Sequence, residues 1–228
     1  IIFVLYWLVK LNEAQRIITV NYAKRVHGNS TYGGIKSILP IKLIAAGVVP
    51  VIFATAFLSL PSLLGQLLTT IKPDNNIGAT LTSLFTAPNA QNFTKLYPNG
   101  ITPQWFVYPA LYFILVVLFT YFYTAITMNP VQMAEDMKRN SGFIPGVKPG
   151  KATADYIDTV MTRITFPGSL FIALIAVLPA FAVLFGVKQG FAQFFGGTSL
   201  LILVGVVIDT LQQIESHLMM RHYDGLLN

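Results

Sequence analysis

Cysteine is absent from all 228 residues, which excludes disulfides, zinc–thiolate sites and thiol nucleophiles and leaves the redox compartment unreadable. Charge is scarce: Asp, Glu, Lys and Arg make up 11% of the chain, against roughly 25% in a soluble domain. With 54% hydrophobic residues and a mean hydropathy of +0.63, the composition is that of an integral membrane protein. There are only three histidines, His27, His217 and His222, all in polar flanks and none in a His-Glu-x-x-His spacing, so they read as solvated surface rather than metal ligands. No phosphate-binding Gly-Lys-Ser/Thr loop occurs, so any nucleotide energy has to come from another protein. No cofactor is implied. Asn92-Phe93-Thr94 matches a glycosylation sequon, a match too common to carry weight.

Four apolar segments are long enough to cross a bilayer: residues 44–68, 105–128, 165–187 and 191–208, the last short enough that its ends should extend into the polar flanks. None contains Asp, Glu, His, Lys or Arg, whereas ion-coupled transporters and intramembrane enzymes usually place ionisable groups there. Backbone in hydrocarbon must satisfy its own hydrogen bonds, and these runs lack the alternation of barrel strands. The expected fold class is therefore an all-α integral membrane protein with four complete transmembrane helices. Residues 1–9, Ile-Ile-Phe-Val-Leu-Tyr-Trp-Leu-Val, are too few to span and read as the end of a fifth helix, which marks the chain as a fragment.

The fifteen Lys and Arg residues fall unevenly: six in 10–43, two in 69–104, five in 129–164, one in 188–190 and one after 208. By the positive-inside bias, loops 10–43 and 129–164 are cytoplasmic, 69–104 and 188–190 external, and the tail 209–228 cytoplasmic. Trp105, Tyr108 and Tyr112 at one end of the second span, and Tyr121 and Tyr123 towards the other, suit aromatic belts. In the external loop, Leu81, Leu84 and Phe85 are candidate anchors of a short helix. Asp209 and Glu215 sit at the cytoplasmic boundary of the last span and receive no catalytic role. Pro50, Pro61, Pro109, Pro167 and Pro179 fall within or near spans, predicting bends or helix starts, with Pro50 and Pro61 marking a helix built to bend. Thr55, Ser59 and Ser62 are placed to satisfy the carbonyls freed there.

Between the second and third spans, Asn129-Pro130 reads as an N-cap and a first-turn proline of a short helix ending near Gly142. The segment Ser141-Gly-Phe-Ile-Pro-Gly-Val-Lys-Pro-Gly150 follows. Its glycines and prolines should fix a shape without a hydrogen-bonded ladder. Phe143, Ile144 and Val147, rimmed by charge, would then offer an exposed partner surface. Beyond it, Ala154, Ile157, Val160, Met161 and Ile164 recur at helical spacing as a packing stripe feeding the third span.

These blocks together resemble the C-terminal half of the SecY family, the central subunit of the bacterial protein-conducting channel. The motifs are Gln15-Arg16, Asn21-Tyr-Ala-Lys-Arg25, Leu39-Pro-Ile-Lys42, Ala46-Gly-Val-Val-Pro-Val-Ile-Phe-Ala54, Asn129-Pro130, Gly142 to Gly150, Met161-Thr-Arg163 and Gly196-Gly-Thr-Ser-Leu-Leu-Ile202. The resemblance implies half of a ten-helix channel, with residues 1–9 ending the sixth helix and the four spans as the seventh to tenth. The missing N-terminal half would carry the plug and the other wall of the lateral gate. It also implies a pore ring with Ile52 and Ile202, and a gate face at Thr55, Ala56 and Leu60. Arg16, Lys24, Arg25, Lys138, Arg139, Phe143, Ile144 and Lys148 would dock the SecA ATPase motor or the ribosome. Further implied partners are SecE- and SecG-type small membrane subunits, preprotein signal sequences and the lipid bilayer, in the bacterial plasma membrane. No bond chemistry is implied.

The chain departs from the family pattern at Ile17, where a second Arg is common, and at Lys148, where the loop tip commonly has Arg. Lys keeps the charge without the planar fork, and Ile17 inherits no charge-based role. Two other readings stand beside the channel: a small-solute secondary transporter, which would need an ionisable or broken-helix site at the midplane, and an inert fragment without activity alone.

Overall fold

A computed structural model describes residues 2–23, 25–27, 30–32, 36–43, 47–72, 76–87, 106–185, 187–188, 190–191 and 198–224. Among the described residues run the helices α1 Ile2–Glu13, α2 Val49–Ile71, α3 Asn76–Phe85, α4 Val107–Thr127, α5 Pro130–Arg139, α6 Lys151–Leu184 and α7 Thr198–Asp224. Among the described residues four stretches, within 49–71, 107–139, 151–183 and 199–218, are long and apolar enough to cross a membrane by length and composition. Trp105, Lys24, the 88–104 part of the external loop with its sequon, and Gly196-Gly197 lie outside the described residues.

The membrane core forms where α1, α2, α4, α6 and α7 meet. Leu8 and Leu11 of α1, Val51, Ala54 and Leu58 of α2, Tyr112 and Val116 of α4, Ile172 and Ala176 of α6, and Leu201 and Val204 of α7 are buried together. Tyr112 thus belongs to this core rather than to an aromatic belt, its ring 5.9 Å from that of Tyr108. Phe119 of α4 meets both Phe53 and Phe57 of α2, at 6.3 and 6.0 Å between ring centroids. The short helix α3 lies along α2, with Phe85 packed against the core. Their crossing is close because Gly65 and Gly78 face each other: a Cβ at Gly65 would sit 2.9 Å from the Gly78 carbonyl oxygen.

The prolines divide by position. Pro50 occupies the first turn of α2, where its missing N–H removes no helical bond, so it starts the helix instead of bending it. Pro61 is interior to α2, as Pro167 and Pro179 are to α6. The carbonyl that Pro61 leaves without its usual donor is that of Phe57, yet the Thr55 and Ser59 hydroxyls donate to Ile52 and Ala56 instead, at 2.7 Å each.

Helix α6 has 34 residues, about 51 Å at 1.5 Å per residue, well beyond the ~30 Å of bilayer hydrocarbon. The surplus is about its first four turns, where Ala154, Ile157 and Met161 are buried. They form the floor of a platform at one end of the helices, and what rests on them is a sheet that the helical reading did not contain. Strand β1 (Gln15–Tyr22) pairs antiparallel with β4 (Lys36–Lys42), from Gln15 opposite Lys42 to Asn21 opposite Lys36. Two short strands, β2 (Arg25–His27) and β3 (Ser30–Tyr32), pair between them. A third strand joins β1 on its other edge: β5 (Gly142–Phe143), with Asn21 opposite Phe143 and Tyr22 opposite Gly142.

The tip after α5 is therefore ladder-bonded at its start, contrary to the expectation of a free-standing loop. Gly142 fits there because a Cβ would meet the Tyr22 ring at 3.1 Å and the Val20 side chain at 3.3 Å. Beneath the sheet, Ile18, Ile41, Ile144, Ile157 and Met161 form a second apolar cluster, flanked by Met133, Met137 and Val147.

Candidate channel wall and docking platform

Helix α2 begins as Val51 and Ile52 donate backbone bonds to the Val48 carbonyl, and its two faces differ in kind. Val51, Ala54, Leu58 and Gly65 point into the core. Ile52, Ala56 and Leu60, each a further four residues on and so on one stripe, are exposed, with Thr55 half-buried beside them. This chain leaves that stripe uncovered.

Ile202, on α7, also turns away from the core. Ile52 and Ile202, 47% and 40% exposed, line one cavity of about 410 Å³ together with Leu8, Val48, Ile172, Leu201 and Val206. The apolar wall changes character towards the platform, where Asn12, Lys42, Thr127 and Asp209 are among the lining residues. Among the described residues no cluster of His, Asp and Glu could hold a metal ion. Away from that polar end the lining is chiefly aliphatic and carries no charge.

The platform gathers residues that are far apart in sequence. Arg16 on β1, Lys138 and Arg139 at the end of α5, Phe143 on β5 and Lys148 at the tip are all exposed. Pairing of β1 with β5 joins the hairpin and the tip into one sheet, so these two connections form one surface. Lys24 lies outside the described residues, as does the side chain of Arg25. Ile144 requires a correction: it is 5% exposed within the second apolar cluster and is a foundation of the platform, not a contact offered to a partner. Its neighbour Phe143 is 38% exposed and faces out.

Local chemistry shapes the tip. Asn129 caps α5, its side-chain oxygen accepting the Gln132 N–H at 3.3 Å, and Pro130 follows at the first helical position. Ile144 to Val147 form a turn closed by Val147 N–H donating to the Ile144 carbonyl at 3.1 Å. Pro145 supplies its fixed φ and Gly146 its φ of +86°, the requirements of a type II turn. The Thr153 hydroxyl donates to the Lys148 carbonyl at 2.9 Å, holding the backbone of the basic tip against the start of α6 while the Lys148 side chain stays exposed.

One feature escaped the sequence reading: Lys42 Nζ lies 3.7 Å from Asp209 Oδ1 and donates to Gln212 Oε1 at 3.0 Å. Its components stood at two segment ends with nothing in spacing or type to pair them.

The SecY family model matches residues 1–211. A protein translocase subunit SecY of Streptomyces galbus is 44% identical over 221 residues, covering 96% of this chain and 46% of the relative. One of Mycobacterium bovis is 41% identical over 227 residues, covering 99% and 49%. This chain thus spans about half the length of the curated relatives it matches. Among solved structures, one described as that of a protein conducting channel superposes with a TM-score of 0.59 at 19% identity, over 94% of this chain and 47% of the other. A second, concerning the SecY plug domain and the closed state of the translocation channel, gives 0.59 at 20% identity over 94% and 48%. These two show the fold, and the family model and the relatives show the lineage: this multi-pass membrane chain belongs to the SecY family.

Proposed function

We propose that this chain forms one wall of a protein-conducting pore and of its lateral gate, in a channel that exports preproteins and inserts membrane proteins. The observation that carries the reading is the shared cavity: Ile52 of α2 and Ile202 of α7 meet across it, with its ionisable lining residues, Lys42 and Asp209, at the polar end. Thr55, Ala56 and Leu60 extend along the same helix as the uncovered gate face, against which a signal segment or a facing helix packs. That facing wall belongs to the N-terminal half of the channel. The platform, with Arg16, Lys138, Arg139, Phe143 and Lys148, receives the SecA motor or the ribosome, whose RNA phosphates suit exposed basic groups. SecE- and SecG-type subunits complete the assembly in the bacterial plasma membrane, with the C-terminus on the cytoplasmic side. The chain itself supplies passage and docking rather than bond chemistry.

The absence of cysteine makes the test direct. The chain is joined to the N-terminal half of the Streptomyces galbus relative, a single cysteine replaces Thr55, and a preprotein is arrested during export. A signal-dependent adduct at residue 55 is the expected result. Export that proceeds with no adduct at 55, 56 or 60 overturns the gate assignment, and a chimera that inserts stably but exports nothing overturns the channel reading.

A further inference from the structure

The platform and the pore wall are joined differently on their two sides. On α6 the joint is packed: Ile157 and Met161 lie within the second apolar cluster. Gly168 lets the base of the hairpin approach so closely that a Cβ there would stand 2.6 Å from the Leu43 carbonyl oxygen. The hairpin base is itself closed by the Leu43 N–H donating to the Ala14 carbonyl at 2.8 Å. No described residue of α7 belongs to that cluster. The link to α7 is polar, made where the Lys42 ammonium meets Asp209 and Gln212.

The position of this link is informative. Asp209 and Gln212 are three residues apart and so share a helix face, which lets one ammonium reach both. Ile202 lies seven residues before Asp209, two turns or about 10 Å along α7 on the same side, and both line the cavity. Lys42 closes β4, and α2 begins a few residues later at Val49 with Ile52 in its first turn. One ammonium therefore stands between the entry to α2 and the cytoplasmic end of α7, the two helices that carry the isoleucines. The side chains of Lys42 and Asp209 are 42% and 66% exposed. An ion pair so open to water is weak and screened by salt, as a contact that opens and recloses has to be.

We propose that Lys42 is a positioning residue for translocation: its clasp on Asp209 and Gln212 registers the docking platform against α7, so that displacement of the hairpin by a bound partner is carried to Ile202. The purpose rests on the channel reading, whereas the clasp itself does not.

The whole chain, reconstituted in phosphatidylcholine–phosphatidylglycerol vesicles, carries spin labels on cysteines replacing Thr19 and Leu211, both exposed and outside the clasp. Pulsed electron paramagnetic resonance should give one narrow distance distribution. Lys42→Glu, which sets like charges against each other, should broaden it, Lys42→Met should do the same by removing the charge, and Lys42→Glu with Asp209→Lys should restore it. An unchanged distribution in both single variants, or a swap that fails to narrow it while helical circular dichroism is intact, overturns the clasp. If Lys42→Glu does not fold, Lys42→Met decides. In the chimera with cysteine at 55, Lys42→Glu should lower the signal-segment adduct by about threefold, the scale an exposed ion pair allows, and the swap should recover it. Distances that respond while the adduct does not overturn the coupling to transport. A chimera with Lys42 intact that exports but forms no adduct counts against the gate assignment, one that exports nothing counts against the channel reading, and in either case the distances still decide the clasp.

Discussion

Phe143 and Ile144 are adjacent, similar in apolarity and opposite in fate: Phe143 closes β5 and is exposed, whereas Ile144, the first residue beyond the strand, is buried in the second apolar cluster. Composition alone marks both as costly to leave in water, and only the pairing of Asn21 with Phe143 determines which of them faces out. Ile144→Ala should therefore cost about 2–5 kcal/mol of stability as a buried truncation, read by denaturant unfolding in detergent, while Phe143→Ala should cost well under half as much. Equal losses would mean that the tip is not seated on Ile18, Ile41 and Ile157. Gly168 makes a second case at this scale. Alanine is favoured over glycine within a helix by about 1 kcal/mol, but the new methyl would stand 2.6 Å from a backbone carbonyl oxygen, which cannot rotate aside as a side chain can. Overpacking of this kind costs about 1–3 kcal/mol, so Gly168→Ala should lower the unfolding temperature. A rise would show that the hairpin base can slide.

Among the elements, those bounded by local chemistry were readable and those made by distant pairing were not. Helix α5 starts where Asn129 and Pro130 say it should, and Asn129→Ala is expected to cost about 1 kcal/mol, seen as faster amide exchange in the first turn of α5, with Asn129→Asp largely preserving protection. The amphipathic stripe from Ala154 to Ile164 was also legible, since 3.6-residue periodicity needs no knowledge of what covers it. The hairpin was missed although its signal was present: Ile17, Ile18, Thr19 and Val20 are β-branched, and glycines at 28, 33 and 34 punctuate the return. Its position between two spans drew attention to charge instead. The contact of β5 with β1 could not be read at all, because nothing local to Gly142 and Phe143 specifies a partner strand more than a hundred residues earlier, at Asn21 and Tyr22. Pro50 was misread for the opposite reason: its effect depends on which turn it occupies, a boundary that hydropathy does not locate.

For the molecule as a whole, the bilayer simplifies what the sequence must specify, since hydrocarbon leaves helices as the economical answer for long apolar runs. The candidate pore was legible only in part. Two isoleucines in greasy spans look like any others, and it took the resemblance to single them out and the folded chain to bring them to one cavity. Their proposed role makes a demanding prediction. If Ile52 and Ile202 bar ions by dewetting, a polar side chain of similar size at either position should wet the constriction and admit them. In vesicles containing the chimera, Ile202→Asn should raise small-ion efflux on the order of tenfold, equivalent to about 1.4 kcal/mol off the barrier. Leu203 is exposed on the same helix but turned by about 100° from its neighbour and absent from the cavity lining, so Leu203→Asn should leave the efflux at its starting level. Equal leaks from the two variants would point to general loosening of α7, and no leak from Ile202→Asn would place the ion barrier elsewhere in the channel.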